Sequence, residues 1–213
     1  PIRVDNPDTV LSLVYIDDVI DEFIDYLVNT PDSANVYKEV NPVYSISLAD
    51  LSSQIKNFKE STPALTIGNV GSGFARALYS TYISYLPVEN FSYSIPEHSD
   101  DRGSFVEILK TDNNGQFSFF TAHPGVTRGG HYHHTKNEKF LVVKGRARFR
   151  FCHISTGEFH EIVTEDSQPK IVNTIPGWAH DITNIGDSDL VAVLWSNEIF
   201  DQNKPDTYIF EMD

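Results

Sequence analysis

Three histidines and one glutamate are spaced so that they can meet around a metal ion. In the segment GVTRGGHYHHTKNEKFLVVKG, a G-x5-H-x-H-x4-E-x6-G pattern is formed by Gly125, His131, His133, Glu138 and Gly145. A second segment, PGWAHDITN, supplies His180 and Asn184. Three imidazoles and one carboxylate suit a borderline divalent metal. The sequence therefore predicts a metal site formed by His131, His133, Glu138 and His180.

The spacing of these residues is typical of β-strands. His131 and His133 are two residues apart, so their side chains point to the same side of an extended chain. Glu138 follows across a short turn at the start of the next strand, and His180 is expected on a later strand folded back beside the first pair. Because Tyr132 alternates with the histidines, we expect it to point away from the metal and into the core.

The composition favours a protein of the reducing cytoplasm. Among the 213 residues there is one cysteine, Cys152, which excludes a disulfide within the chain and suits that compartment. There is no basic-then-apolar export segment and no apolar run approaching about 20 residues, so we expect a soluble protein. The net charge of −14 argues against nucleic acid or an anionic membrane as a partner.

Positive charge is concentrated around the predicted site. Residues 102–150 contain nine of the 16 lysines and arginines but only three acidic residues, a net +6 against −20 for the rest of the chain. This local field suggests an anionic substrate. Arg102 and Arg128 lie beside glycines at turns next to the histidines and are the candidate anion ligands. Three further arginines are typical of the solvent face of an alternating strand: Arg146, Arg148 and Arg150.

The N-terminal part of the chain, residues 1–87, is predicted to be mostly helical. Asp17 or Asp18 is expected to cap a first helix with an apolar face. Ser47 and Asp50 are typical of a capping box that opens a second helix.

The remainder, residues 88–213, is predicted to be a β domain. Apolar residues recur there with a period near two, and turn residues separate the runs. The predicted strands are SFVEILK, QFSFFTA, KFLVVK, ARFRFCHI, EFHEIV, KIVNTI, DLVAVLW and DTYIFEM. Regular short strands of this kind suit a sandwich or a jelly roll.

The two histidine segments resemble the two motifs of the cupins, which are metal-binding jelly-roll barrels. The first motif matches at every position. The second matches G-x2-H-x3-N at Gly177, His180 and Asn184, with the usual P-x-G compressed to Pro176-Gly177. The resemblance implies a mainly β fold, with a cupin jelly-roll barrel over residues 88–213.

The stretch LSLVYIDDVIDEFIDYLVN resembles the C-terminal part of an extended short-chain dehydrogenase/reductase. This resemblance implies that residues 1–87 are a small helical remnant of that family's substrate subdomain. The chain has no glycine-rich turn after a strand to cradle a dinucleotide pyrophosphate, and no Tyr-x-x-x-Lys pair. We therefore expect NADPH to bind only in a reductase portion outside this chain.

Taken together, the reductase tail and the segments LYSTYISYLP, DDRGSFVEILKT, HYHHTKNEKFLVVKG and NEIFDQNKPDTYIFE resemble a family of bifunctional bacterial enzymes. These enzymes act on UDP-2-acetamido-2,6-dideoxy-hexuloses in capsular-polysaccharide (UDP-N-acetyl-L-fucosamine) biosynthesis. The resemblance implies a zinc-carrying cupin domain that epimerises a 4-keto UDP-sugar at C3, and a reductase domain that then reduces the ketone with NADPH. It also implies a homodimer that pairs through the cupin domain.

The segments DRGSFVE and RGGHY also resemble those of the dTDP-4-keto-sugar 3,5-epimerases. This second resemblance implies substrate-binding roles for Arg102, Glu107 and Arg128. The planar guanidinium fork of the two arginines suits a diphosphate. Those epimerases generally lack the metal, whereas in this chain His131 belongs to the predicted ligand set.

Epimerisation next to a ketone needs a base to remove the proton and an acid to return one on the opposite face. His134 and Lys136 are adjacent to the ligands and free of ligand duty, so they are the candidate catalytic residues. Lys136 can instead stabilise the charge of the enolate. An exposed turn histidine is the alternative interpretation of His134.

Two other functions are open at this point. An Fe(II) cupin dioxygenase can use the same ligand set and would consume dioxygen at a redox-active metal. A non-catalytic dimerisation module of the reductase can use the apolar strands DLVAVLW and DTYIFEM as its partner surface. Activity of the cupin domain without a nicotinamide cofactor distinguishes an epimerase from such a module.

Overall fold

The computed structural model describes residues 2–29, 38–111 and 113–212. These residues form two compact units. Across the described ranges, no helix combines the length and the apolar character needed to cross a membrane.

The two units divide the chain between Ser92 and Tyr93, with one exception. The short segment Leu65–Gly68 belongs to the second unit. It is held there by backbone hydrogen bonds to Lys110, whose N–H donates to the Leu65 carbonyl at 2.6 Å and whose carbonyl accepts from Ile67 at 2.9 Å.

Helices predominate in the first unit. Its elements are β1 (Val10–Leu13), α1 (Ile16–Val28), β2 (Tyr44–Ser47), α2 (Leu48–Ala64) and α3 (Gly73–Ser84), followed by a 3-10 turn at Val88–Asn90. Strands β1 and β2 pair antiparallel. The ring of Phe58 on α2 packs against Tyr79 and Tyr82 of α3, with centroid separations of 5.1 and 5.6 Å.

The two predicted helix caps have different outcomes. Ser47 caps α2, because its hydroxyl accepts the Asp50 N–H at 3.1 Å and donates to the Asp50 carboxylate at 2.7 Å. At α1 the predicted cap is wrong, since the helix begins earlier and its N-cap is Tyr15, without a side-chain capping hydrogen bond. Asp17 and Asp18 lie in the first turn, where their charge complements the helix dipole.

The second unit is built from two antiparallel sheets. The six-stranded sheet has the order β10-β7-β12-β5-β4-β3, and the five-stranded sheet has the order β13-β6-β11-β8-β9. The strands are β3 (His98–Asp100), β4 (Gly103–Thr111), β5 (Gly115–Ala122), β6 (Thr127–Tyr132), β7 (Glu138–Lys144), β8 (Arg146–His153), β9 (Phe159–Glu165), β10 (Ile171–Asn173), β11 (Trp178–Asn184), β12 (Leu190–Ser196) and β13 (Tyr208–Ile209). Each predicted strand overlaps an observed one, although DTYIFEM is reduced to two residues.

The hydrophobic core lies between these two sheets. Phe120, Phe140 and Leu194 contribute from the six-stranded sheet, and Phe149 and Ile182 contribute from the five-stranded sheet. The rings of Phe140 and Phe149 meet across the interface at a centroid separation of 5.7 Å. The prediction of a mainly β fold is confirmed, and the two facing sheets have the architecture of a cupin-like jelly roll.

Two side chains on the outer face of the five-stranded sheet differ from expectation. Tyr132 does not enter the core, because it stacks on Tyr208 of the neighbouring β13 at a centroid separation of 5.3 Å. Arg150 lies on the outer face as predicted, but its guanidinium binds Asp181, whose side chain is only 3% exposed, at 2.5 Å. It therefore neutralises a buried carboxylate and is not a simple solvent-facing residue.

Candidate metal centre

A bulge in β6 determines which of its side chains face the interior. His180 pairs with His131, but the next residue of β11, Asp181, pairs with Gly129, so Gly130 is an extra residue in β6. Both glycines have positive φ, +100° for Gly129 and +76° for Gly130. A side chain at Gly129 would meet the His180 carbonyl oxygen at 2.8 Å. Glycine is therefore required where β6 approaches β11 most closely.

The four predicted metal ligands come together from neighbouring segments: His131 lies on β6, His133 directly follows that strand, Glu138 begins β7 and His180 lies on β11. Their ligand atoms all lie within 4.8 Å of one another. A carboxylate oxygen of Glu138 is 3.5 Å from Nε2 of His133 and 3.6 Å from Nε2 of His180. The ring centroid of His131 is 4.9 Å from that of each other histidine. The structure thus brings His131, His133, Glu138 and His180 into one cluster.

The two buried histidines of this cluster have the arrangement that a bound metal needs. Nδ1 of His133 is hydrogen bonded to the backbone carbonyl of Asp206, and Nδ1 of His180 lies 3.4 Å from the carbonyl of Trp178. The Nε2 atoms of both are buried and have no hydrogen-bond partner among the described residues. A ligating histidine typically has its second ring nitrogen held by a carbonyl in this way, so the residues fit a metal ion.

The electrostatics favour the protonation states that bind metals. Burial, together with the nearby rings of His180 and His133, lowers the pKa of His131 from 6.5 to about 4. Burial opposes ionisation of Glu138, but the imidazoles of His133 and His180 lower the pKa of its carboxyl well below the usual range. At neutral pH the cluster therefore offers a neutral His131 and a carboxylate, which are the ligand forms of these side chains.

The cluster forms part of the wall of an interior cavity of about 170 Å³. Its residues His131, Glu138 and His180 are joined there by Arg128 and by apolar side chains. The apolar lining includes Phe105, Phe120, Phe140, Phe149, Ile182 and Leu194. Sites for whole small molecules usually measure about 300–1,000 Å³, so the cavity suits the reacting part of a larger ligand.

Arg128 carries the positive charge of this cavity. Its Nε donates to the Thr121 carbonyl at 3.0 Å, and its guanidinium lies 5.5 Å from the centre of the Phe120 ring. Its Nη2 is buried without a hydrogen-bond partner among the described residues. Burial lowers the pKa of Arg128, yet arginine stays protonated in proteins. A buried guanidinium donor that makes no hydrogen bond to the described residues is suited to an anionic group in the cavity.

Arg102 is linked to Arg128 through Asp100. The Asp100 carboxylate accepts from the Arg102 guanidinium at 2.5 Å and lies 3.8 Å from Nη2 of Arg128. Hydrogen bonds from Arg102 lower the pKa of Asp100 to about 2. Arg102 is largely exposed and is not among the residues that line the cavity. The two arginines are therefore close to one another but differ in burial.

The other predicted site residues do not line the cavity. Glu107 accepts from Gln116 at 3.1 Å and from Lys110 at 3.0 Å. Lys136 is buried, and its ammonium donates to the Thr207 hydroxyl at 3.3 Å. Its charge nevertheless contributes to lowering the pKa of His131. The exposed His134 packs edge-on against Tyr208, with ring centroids 4.6 Å apart.

Asp206 is a residue of this site that was not predicted. Burial opposes its ionisation, but the backbone N–H groups of Lys136, His134 and Thr135 lower the pKa of its carboxyl well below the usual range. It lies 70 residues beyond Lys136 in sequence. No spacing or periodicity pattern could have connected the two segments before the pairing of β13 with β6 was known.

The fold and the cluster define this unit as a cupin-like jelly roll with a three-histidine, one-glutamate candidate metal centre. Residues 98–208 match the family described as the polysaccharide biosynthesis C-terminal domain. The chain belongs to that family.

Two bacterial proteins are similar to this chain in sequence. The chain is 56% identical over 208 residues to UDP-2-acetamido-2,6-beta-L-arabino-hexul-4-ose reductase of Pseudomonas aeruginosa, covering 98% of this chain and 56% of that protein. It is 26% identical over 120 residues to the spore coat polysaccharide biosynthesis protein SpsL of Bacillus subtilis, covering 52% of this chain and 80% of that protein.

A solved structure is similar to this chain over its whole length. The capsular polysaccharide assembling protein CapF of Staphylococcus aureus superimposes with a TM-score of 0.93 and 40% identity, covering 100% of this chain and 57% of CapF. This chain thus spans little more than half the length of CapF and of the Pseudomonas reductase. The predicted resemblance to capsular-polysaccharide enzymes is confirmed.

Proposed function

We propose that this chain carries the C3 epimerase activity of a two-domain nucleotide-sugar enzyme of capsular-polysaccharide (UDP-N-acetyl-L-fucosamine) biosynthesis. The substrate is a 4-keto-6-deoxy UDP-N-acetylhexosamine, and the reductase portion of the longer protein then reduces the 4-ketone with NADPH. The observation that carries this proposal is the cluster of His131, His133, Glu138 and His180, of which all but His133 line one cavity with Arg128. The similarity to the Pseudomonas reductase supports the substrate class.

The four clustered residues are proposed to hold one zinc ion. Zinc accepts histidine nitrogen and carboxylate oxygen together, and the unpartnered Nε2 atoms of His133 and His180 supply two such nitrogens. A bound divalent metal supplies Lewis-acid polarisation of a ketone oxygen. The apolar lining makes this space less polar than water, which strengthens electrostatic interactions within it.

The arginines are proposed to bind the anionic part of the substrate. The 170 Å³ cavity is too small for a whole UDP-sugar, so the sugar ring would enter it while the diphosphate stays towards the surface. Arg128 is positioned to receive the anion near the cavity, and the exposed Arg102 can bind it further out once Asp100 is displaced. Glu107, which is close in sequence to Arg102, is also proposed to contribute to substrate binding.

His134 and Lys136 are the proposed acid and base. Their side chains leave from the loop between His133 and Glu138, so both residues are close in sequence to the proposed metal ligands. Lys136 is the better supported of the two, because its ammonium is buried, has one 3.3 Å hydrogen bond to Thr207, and contributes to lowering the pKa of His131. His134 is exposed and packed on Tyr208.

The proposal is tested by solvent exchange at C3. The chain is mixed with the 4-keto UDP-sugar in heavy water without a nicotinamide cofactor, and the C3 proton signal is followed by NMR. We expect the signal to disappear with metal-loaded protein and to persist with chelated protein. Equal loss in both samples would remove the metal from the mechanism, and no loss in either would favour a non-catalytic dimerisation module. Consumption of dioxygen would instead favour an Fe(II) dioxygenase.

A second copy of this chain is the proposed protein partner. The outer face of the six-stranded sheet carries apolar side chains that are partly or largely exposed, including Phe117, Val143 and Ile171. Ile209 on the edge strand β13 is 88% exposed. Light scattering of the purified chain distinguishes a dimer from a monomer. We also propose a cytoplasmic location, for which a single cysteine in 213 residues is typical.

A further inference from the structure

One distant carboxylate, that of Asp206, accepts several hydrogen bonds from the loop that joins His133 to Glu138. Asp206 accepts the backbone N–H of Thr135 at 2.7 Å and that of Lys136 at 2.8 Å. The N–H of His134 lies 3.0 Å from both carboxylate oxygens, and the Thr135 hydroxyl donates to one of them at 3.1 Å. Three consecutive amides that converge in this way form an anion-binding concavity, which here is filled by a side chain of the protein.

The same residue also holds one of the candidate metal ligands. Its backbone carbonyl accepts a hydrogen bond from Nδ1 of His133. A proton on Nδ1 leaves the lone pair on Nε2, the buried atom that faces Glu138. Asp206 therefore fixes the ring of His133 through its main chain and the following loop through its side chain.

The residues after Asp206 continue this contact along β6. The Thr207 hydroxyl accepts a hydrogen bond from the ammonium of Lys136, and Tyr208 pairs with Tyr132. The Phe210 N–H donates to the Gly130 carbonyl at 2.9 Å. The segment 206–210, which we call the C-terminal strap, thus contacts β6 and the loop at several points between Gly130 and Lys136.

We propose that Asp206 is a positioning residue of the metal centre, one that sets the geometry and affinity of the site without being a ligand. This inference rests on the proposed metal site. Its physical basis is that charge-assisted hydrogen bonds from three adjacent amides restrict the loop between His133 and Glu138. The conformation of that loop determines the distance between these two residues. Groups that orient metal ligands in this way typically contribute about 10–100-fold to metal affinity.

The test compares Asp206→Asn with Glu211→Gln. Both changes remove one negative charge from the same end of the chain, but Glu211 is exposed and lies beyond the residues that contact the loop. Zn²⁺ affinity is measured by competition with a chromophoric chelator. We expect Asp206→Asn to weaken Zn²⁺ binding by about 10–100-fold, because a neutral amide lacks the charge that strengthens these hydrogen bonds, and its nitrogen cannot accept from the His134 N–H as the second carboxylate oxygen does. Glu211→Gln should bind as the unchanged protein does.

A second measurement separates positioning from general stability. With Co²⁺ in place of Zn²⁺, the visible absorption bands report ligand geometry, and we expect them to change in Asp206→Asn but not in Glu211→Gln. If Asp206→Asn does not fold, Thr135→Ala, which removes only an exposed hydroxyl donor, should still weaken Zn²⁺ binding measurably.

The outcomes distinguish this inference from the proposed function. Zn²⁺ affinity and a Co²⁺ spectrum that are unchanged in Asp206→Asn would overturn the positioning role while leaving the metal centre intact. Lower thermal stability of the metal-free protein, with unchanged affinity for the folded protein, would also overturn it. Failure of the unsubstituted chain to bind Zn²⁺ or Co²⁺ at all would instead remove the metal centre itself.

Discussion

Arg128 and His131 line the same cavity although they are three residues apart on one strand. In a regular strand, an odd separation places side chains on opposite faces. The bulge at Gly129 and Gly130 adds one residue and so returns both side chains to the interior. A cation and a candidate metal ligand are thereby supplied to one cavity by a single short strand.

The first prediction concerns this bulge. Gly129→Ala places a Cβ 2.8 Å from the His180 carbonyl oxygen, so β6 and β11 must separate. We expect a loss of stability of more than the roughly 1 kcal/mol that a left-handed non-glycine residue costs, together with weaker metal binding. Gly157→Ala is the matched control, because Gly157 also has positive φ, +70°, but open space around it. Thermal unfolding that is lowered equally in both variants would contradict the close-contact explanation.

The second prediction concerns the ligand set. We expect one zinc per chain and its loss in a His131→Ala, His180→Ala double variant, as measured by elemental analysis. The metal should also raise the melting temperature, since free metal at 100 times its Kd stabilises the folded state by about 2.7 kcal/mol. His160→Ala removes an exposed histidine and should retain both the metal and the thermal shift. Full zinc content in the double variant would show that other residues bind it.

Much of this four-residue cluster could be predicted because its residues follow strand periodicity. His131, His133 and Glu138 are close in sequence, and two-residue alternation places the two histidines on one side. The position of Arg128 could not be predicted in the same way, since the added residue at Gly130 reverses the alternation. The same two-residue rule correctly predicted that Tyr132 points away from the clustered histidines. The prediction that Tyr132 lies in the core was wrong, because β13 covers that face of the sheet.

The role of Asp206 depends on a contact between segments that are distant in sequence. Its hydrogen bonds reach back 70 to 73 residues. Only the pairing of β13 with β6 brings the strap beside the loop, and two-residue strands such as β13 carry too short a pattern to identify a partner. Likewise, Leu65–Gly68 joins the β unit through backbone hydrogen bonds, which do not depend on residue type.

The third prediction concerns the nicotinamide cofactor. We expect no NADPH binding by this chain, because it has neither the glycine-rich turn that cradles a pyrophosphate nor the Tyr-x-x-x-Lys pair. Calorimetry with NADPH on the chain alone provides the measurement, and the 4-keto UDP-sugar serves as the positive control for a functional preparation. A dissociation constant in the micromolar range for NADPH would overturn this expectation.

The fourth prediction concerns substrate binding. Arg128→Ala removes a buried guanidinium that has one unpartnered donor. We expect KM for the UDP-sugar to rise by the equivalent of about 1.5–3 kcal/mol, the usual contribution of a hydrogen bond to a charged group, with little change in kcat. Arg146→Ala, on the outer face of β8 and 57% exposed, should leave KM unchanged. An unchanged KM in Arg128→Ala would assign this residue a structural role beneath Phe120.

The last prediction concerns proton transfer. Lys136→Gln and His134→Gln are each assayed for loss of the C3 proton in heavy water, with Lys144→Gln and His98→Gln as exposed controls of the same residue types. A general acid or base usually contributes about 10²–10⁴-fold to a rate, so a residue with that role should slow exchange by this amount while substrate and metal remain bound. We expect the larger effect at Lys136, because its ammonium is buried and its charge reaches His131.

If Lys136 instead only stabilises the enolate charge, Lys136→Arg should restore part of the rate. A proton-transfer role should not be rescued by this change, since arginine does not release its proton near neutral pH. Full activity in both Gln variants would assign the proton transfer to groups outside this loop.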